Sequence, residues 1–199
     1  MKWNNVNDSI QMNIMLDARL LVLDTQIQVL RRGRQQSELS DTENSELKEL
    51  ETQKQSVQSS KQNLQDIGND NEHVYEFNYL SGDEIIAHNQ MVNGVVKIST
   101  GHDFVLGVHE MDHIARYLKT GGLSFNNQGY LQPSKYYRSS VARYSSDEVL
   151  AYRAQFAFSR QGFPIPGIVK MTDISAEIVA AIVSADGRPV YQILYDSTK

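Results

Sequence analysis

Five aliphatic residues near the amino terminus recur at alternating spacings of four and three residues, the period of a helix that packs against a partner helix. They are Leu16, Leu20, Leu23, Ile27 and Leu30. The pattern breaks at Arg32-Gly33-Arg34 and resumes in a very polar segment at Leu47, Leu50, Val57 and Leu64. We therefore predict a coiled-coil-like antiparallel helical hairpin over residues 1–68, with a first helix from about Asp8 to Arg31, as a packing or interaction element.

Residues 69–199 carry a different pattern and are predicted to form a second domain. Val74 to Tyr79 alternates between apolar and polar side chains, which is typical of a half-buried strand. Two further strand-like segments, 84–91 and 94–99, flank Asn93-Gly94, a dipeptide that favours hairpin turns. The pattern predicts a small antiparallel sheet and, together with the hairpin, an α+β fold.

A helix is expected after the sheet, with Asp103 as its N-cap and Gly121-Gly122 at its end. Its apolar face would consist of Val108, Met111, Ala115 and Leu118. The same segment contains His109-Glu110-Met111-Asp112-His113, in which two histidines four residues apart lie on one helical face. Such a pair can hold one metal ion, and the glutamate between the histidines can take a proton from water activated by that ion.

A catalytic zinc ion needs three protein ligands and an open fourth position. Cysteine is absent, so the protein ligands must be His, Asp or Glu. Glu148, near the predicted start of a later helix, is the expected third ligand. Its alternative role is a capping box with Ser145, in which the carboxylate serves its own helix end. His102 is a rival ligand, and the histidines expected to face solvent are His73 and His88.

Several tyrosines downstream of the motif could donate a hydrogen bond to an oxyanion. They are Tyr130, Tyr136, Tyr137, Tyr144 and Tyr152. Tyr152, four residues after Glu148 on the same helical face, is the expected donor, and the alternative for each tyrosine is a core position with a satisfied hydroxyl. Asp147 either orients a ligating histidine or is a solvated acid at a helix start.

Composition excludes some classes of partner. The net charge is −5, and no basic stripe interleaved with aromatic residues is present, so no nucleic-acid partner is expected. No apolar run approaches the roughly 20 residues of a membrane span, so no membrane insertion is expected. Localisation stays open. Without a secretory signal, export would require a specialised route or a larger parent protein.

The motif residues together resemble a known family. Val108-His109-Glu110-x-x-His113, the glycine pair, Gly129-Tyr130 and Asp147-Glu148-Val149-x-Ala151-Tyr152-x-x-Gln155-x-Ala157 are similar to gluzincin-type metallopeptidase domains. These domains lie at the C-termini of large repeat-containing or secretion-associated proteins of Bacteroidetes, many of them described as toxins or effectors. The resemblance implies that His109, His113 and Glu148 bind Zn2+, that Glu110 is the general base, and that a zincin-like sheet packs with the HExxH helix and a third-ligand helix.

The resemblance implies hydrolysis of a peptide or amide bond in a protein or peptide substrate, with an immunity protein or a parent polypeptide as a further partner. Val95 to Ser99, directly before the metal helix, is the expected edge strand for an extended substrate. The alternative is a non-catalytic interaction module with a structural or vestigial zinc site and the hairpin as its binding surface. A fourth protein ligand, such as His102, would favour that alternative.

Overall fold

Two long helices begin the fold and run side by side in opposite directions. Helix α1 spans Val6–Arg31 and helix α2 spans Asp41–Asn69. Three ion pairs join them in antiparallel order: Asp17–Lys61, Asp24–Lys54 and Arg31–Glu51. Leu16 and Leu23 of the predicted stripe are fully buried. The helical hairpin predicted from the leucine spacing is therefore confirmed.

The remaining elements follow from residue 74 onward. The structure is a computed structural model and describes residues 3–80, 89–161, 163–183 and 187–191. The later elements within those ranges are β1 Val74–Tyr79, β2 Gln90–Val92, β3 Val95–Thr100, α3 Val105–Lys119, β4 Ser124–Phe125, β5 Leu131–Gln132, α4 Val141–Phe158 and α5 Ala176–Ala180. Residues 84–88 of the predicted strand 84–91, with His88, lie outside the described residues. Among the described helices, none is long and apolar enough to span a membrane.

The first three strands form a mixed sheet in the order β1-β3-β2. β1 runs parallel to β3, with Val74 opposite Val95, whereas β2 and β3 are antiparallel across the Asn93-Gly94 turn. The prediction of a purely antiparallel sheet was therefore wrong. Side-chain alternation reports which face of a strand is buried, but it does not report the direction of a neighbour that is distant in sequence.

The sheet order also overturns the predicted place for substrate. β3, which contains Val95–Ser99, is the central strand, and β1 and β2 occupy both of its edges. The outer edge of β2 is covered too, because Met91 N donates to Gly129 O at 2.7 Å and Leu131 N donates to Asn89 O at 2.8 Å. Gly129 has φ +83°, and a Cβ there would lie 2.5 Å from Met91 O, so the close pairing requires glycine.

The hairpin and the later elements share one core. Helix α2 packs against α3 and α4 as well as α1, and its buried Val57 and Leu64 belong to the same apolar cluster as Val108 of α3 and Phe156 of α4. Polar contacts cross the same interface. Arg19 Nε donates to Ala157 O at 2.8 Å, Met171 N donates to the Glu49 carboxylate at 2.8 Å, and Asn63 Nδ2 donates to the Asp112 carboxylate at 3.0 Å. The core therefore continues across the boundary predicted after residue 68.

Candidate metal centre

Helix α3 presents the two histidines of the motif toward the protein interior. The N-cap of this helix is Phe104, which makes no side-chain cap hydrogen bond, so the prediction of Asp103 as the N-cap was wrong by one residue. The Asp103 carboxylate still accepts a hydrogen bond from Val105 N at 3.2 Å. On the apolar face, Val108, Met111 and Ala115 are fully buried. This packing fixes the rotation of the helix. As a result His109, Glu110 and His113 are also buried, at 6%, 6% and 7% exposure.

The expected ligands converge. The Nε2 atoms of His109 and His113 lie 3.2 Å apart, and the two Glu148 carboxylate oxygens lie 3.4 Å from His109 Nε2 and 3.5 Å from His113 Nε2 respectively. Ligands held about 2.0–2.1 Å from a tetrahedral ion are about 3.3 Å from one another. The three residues therefore fit one tetrahedral metal ion. Two imidazoles and a carboxylate are acceptable to zinc and to several other divalent metals.

Glu148 reaches the histidines from α4. The N-cap of this helix is Ser140, whose side chain accepts from Arg143 N at 3.2 Å. Ser145 is thus inside the helix, and the alternative of a Ser145–Glu148 capping box was wrong. Because α4 starts earlier than the sequence indicated, Glu148 projects from the helix body toward α3, and its side chain is only 13% exposed.

Asp147 takes the first of its two predicted roles. It is 2% exposed, and its carboxylate lies 3.0 Å from His113 Nδ1. The same carboxylate accepts hydrogen bonds from Tyr117 Oη and, at 2.9 Å, from Arg116 Nε. A carboxylate acceptor at Nδ1 holds the proton on that nitrogen, so the lone pair of a neutral His113 is on Nε2 and points at the metal position. Arg116 in turn pairs with Asp112.

The electrostatic interactions among His113, Asp147 and Glu148 favour the charged form of each side chain. Burial lowers the pKa of His113, but the carboxylates of Asp147 and Glu148 outweigh burial and raise that pKa well above its ordinary value. Burial raises the pKa of Glu148, but His113 and His109 outweigh it and lower that pKa below its ordinary value. At neutral pH these directions favour a protonated His113 beside ionised carboxylates in the metal-free site. A metal ion must displace that proton to bind His113.

Glu110 is held by a residue that sequence reasoning missed. Asn89, 3% exposed at the start of β2, donates from Nδ2 to the Glu110 carboxylate at 2.7 Å. The backbone of Asn89 is anchored in turn by Leu131 N. Its own Oδ1 is buried and has no hydrogen-bond partner among the described residues. No motif surrounds Asn89 in the sequence, so only its position in the fold identifies it.

Tyr152 lies beside the ligands, as predicted. Its ring packs edge-on against His109, with centroids 4.7 Å apart, and its hydroxyl lies 2.7 Å from the hydroxyl of Tyr191. Burial, reinforced by the nearby Glu148 carboxylate, raises the pKa of Tyr152 to about 12. The hydroxyl therefore stays protonated at neutral pH and can donate. Tyr191 was not assigned a role from sequence, because it lies far from the motif in a weakly patterned tail.

The other predicted tyrosines have different positions. Tyr144 is a buried residue of α4. Tyr136 is 58% exposed and lies under the guanidinium of Arg143. Tyr137 contacts the ring of Tyr117. Tyr130 bridges to Gln90 of β2. Among the described ring contacts, Tyr152 packs against His109, and none of these four tyrosines packs against His109 or His113.

The remaining histidines do not join the cluster. His102 is exposed and stacks on the ring of Tyr79 with centroids 5.6 Å apart. His73 lies 2.7 Å from the Asp70 carboxylate and is partly buried, so the expectation that it faces solvent was wrong. Among the described residues, the group able to hold a metal consists of His109, His113 and Glu148. The rival ligand His102 therefore does not close a fourth position.

Comparison with known proteins adds no further guide to this centre. No protein-family model, curated protein or solved structure matches the chain. The gluzincin resemblance consequently stays an expectation from the motif residues. The geometry around His109, His113 and Glu148 is therefore the evidence for a function.

Proposed function

We propose that the chain is a zinc-dependent metallopeptidase with a zincin-like arrangement of sheet, HExxH helix and third-ligand helix. His109, His113 and Glu148 hold the metal, and Glu110 is the general base. The observation that carries the proposal is the convergence of three side chains: the two imidazole Nε2 atoms lie 3.2 Å apart, each lies 3.4–3.5 Å from one Glu148 carboxylate oxygen, and no fourth described His, Asp or Glu belongs to the group. Three protein ligands are typical of catalytic zinc, whereas structural zinc has four.

The protein groups have separate tasks in this reaction. When bound, zinc supplies a Lewis acid that lowers the pKa of a coordinated water to about 7 and polarises the scissile carbonyl. Glu110 accepts the proton of the attacking water and then delivers it to the leaving amine. Asn89 keeps the Glu110 carboxylate in one orientation through its 2.7 Å hydrogen bond. Asp147 orients His113, and Arg116 and Tyr117 hold Asp147 in place.

Tyr152 is the proposed donor to the oxygen on which negative charge develops. Replacing Tyr152 by phenylalanine removes that hydroxyl but preserves the ring packed on His109, so zinc content should not change. The value of kcat should fall by about 10²–10³-fold, the usual cost of one oxyanion donor. Tyr136→Phe is the matched control, because Tyr136 is an exposed tyrosine. An unchanged kcat in Tyr152→Phe would exclude Tyr152 as the donor.

The proposed activity is tested with a library of unstructured peptides and the full-length chain loaded with one equivalent of zinc. Cleavage is read as new peptide termini by mass spectrometry. The expected result is cleavage that disappears when a chelator removes the metal and returns when zinc is restored. A fully zinc-loaded protein that cleaves no peptide in the library would count against the peptidase assignment and leave the alternative of a non-catalytic zinc-binding module.

A further inference from the structure

Helix α1 is apolar on two opposite sides. One side is buried and includes Met12, Leu16 and Leu23. The other side carries six large aliphatic residues that are 42–69% exposed: Val6, Ile10, Ile14, Leu21, Val22 and Val29. Half of the twelve exposed large hydrophobic residues in the described chain thus belong to this one helix. Single exposed aliphatic residues are common, but six of them along one side of one helix form an apolar surface of the kind that proteins use for association.

The outward stripe of α1 has an approximate symmetry along its length. Several residue pairs are equidistant from the midpoint between Asp17 and Ala18. The apolar or weakly polar pairs are Val6 with Val29, Ile10 with Thr25 and Ile14 with Leu21, and the polar pairs are Asn7 with Gln28 and Gln11 with Asp24. A second α1 running in the opposite direction about that midpoint would place the two members of each of these pairs at the same height, whereas Val22 would lie level with the polar Asn13. Ala18, at the centre, is small enough for two helices to approach closely.

Charges along α1 favour the same antiparallel pairing. Asp17 and Asp24 border the stripe, but Lys61 and Lys54 of α2 neutralise them within the chain, so two copies would not repel each other there. Antiparallel pairing also places the negative carboxyl end of each α1 dipole beside the positive amino end of the other.

The stripe is large enough to support specific association. Six aliphatic residues exposed by about half leave on the order of 500 Å² uncovered in each copy, which is near the upper end of apolar patches on monomers. Two copies would bury about 1,000 Å² from these residues alone, and the flanking polar side chains bring the total toward the 1,200 Å² or so at which stable interfaces begin. We propose that two copies of this chain form a dimer through antiparallel pairing of the exposed stripes of α1.

The proposal is tested first by the mass of the full-length chain in solution. Sedimentation and light scattering should give about twice 22.6 kDa. Ile14→Glu should return the mass to that of one chain, because it places a charge in the centre of the stripe. Val169→Glu is the matched control: Val169 is 63% exposed but lies outside α1, and this variant should stay dimeric. Circular dichroism verifies that both variants remain folded.

Cysteine cross-linking tests the direction of pairing, and the absence of native cysteine makes single substitutions unambiguous. A mixture of Ile10→Cys and Thr25→Cys chains should form a disulfide-linked pair on mild oxidation. Ile10→Cys alone should not, because antiparallel pairing separates its two copies by about 22 Å along the helix. A wild-type chain that stays monomeric up to several hundred micromolar, a dimer unaffected by Ile14→Glu, or efficient self-linking of Ile10→Cys would overturn the proposal.

Discussion

Glu110→Gln is expected to bind zinc as tightly as the unmodified chain but to lose peptide hydrolysis by about 10²–10⁴-fold in kcat, the usual contribution of a general base. Glutamine has nearly the shape of glutamate, so the packing of α3 and the positions of His109 and His113 should not change. The amide cannot accept the proton of the attacking water. Mass spectrometry under native conditions measures whether the variant retains zinc. The value of kcat on a cleaved peptide measures the loss of hydrolysis.

The control for Glu110→Gln is Glu46→Gln, which makes the same change of charge at an exposed position of α2. It should leave both zinc binding and kcat unchanged. Full activity of Glu110→Gln would exclude Glu110 as the base. Loss of zinc from that variant would show that Glu110 is a ligand, which the proposed division of roles does not allow.

Removing the hairpin is expected to prevent folding, which reverses what the sequence suggested for residues 69–199. A chain that begins at Asp70 would lose Trp3, which stacks on Phe77 of β1, together with the buried face of α2. Each fully buried aliphatic side chain contributes about 1.5–3 kcal/mol, and the total stability of a domain is only about 5–15 kcal/mol. The truncated chain would lose the burial free energy of five aliphatic side chains, which is as large as the total stability of a domain. These side chains are Leu47, Leu50, Val57, Leu64 and Ile67.

Circular dichroism and thermal melting of the truncated chain measure this outcome directly. If the truncated chain cannot be produced, a single substitution in α2 tests the same interface with a smaller effect. Leu64→Ala should lower the free energy of unfolding by about 2–5 kcal/mol, whereas Val169→Ala, at an exposed site, should change it by less than about 0.5 kcal/mol. A truncated chain that melts cooperatively and binds zinc would show that the hairpin is a separate domain.

The helices and the convergence of His109 with His113 could be predicted because each rests on a local, periodic signal. Leu16 and Leu23 on one side of α1, and Val108 and Met111 on one side of α3, recur with the helical period. Two histidines four residues apart necessarily share a helical face. Glu148 was predicted less directly, because a catalytic zinc ion needs a third protein ligand. In the structure its carboxylate oxygens lie 3.4–3.5 Å from the two imidazole rings.

What could not be predicted depends on contacts between residues distant in sequence. The parallel pairing of β1 with β3 skips over β2, and no local pattern encodes it. Asn89 and Tyr191 reach the centre only through the sheet edge and the tail, so neither has a motif. The exposed aliphatic residues of α1 could not be predicted for a different reason. Both sides of this helix are aliphatic, and the regular leucine spacing identifies only the buried side.

A zinc titration of the metal-free chain tests the central claim most directly. We expect one saturable site per chain at neutral pH, and we expect His113→Ala to abolish that site because a tetrahedral ion loses one of three protein ligands. Lys119→Ala, on the same helix but outside the cluster, should titrate like the unmodified chain. If the unmodified chain shows no saturable binding, or if His113→Ala binds zinc equally well, then His109, His113 and Glu148 are not a metal centre.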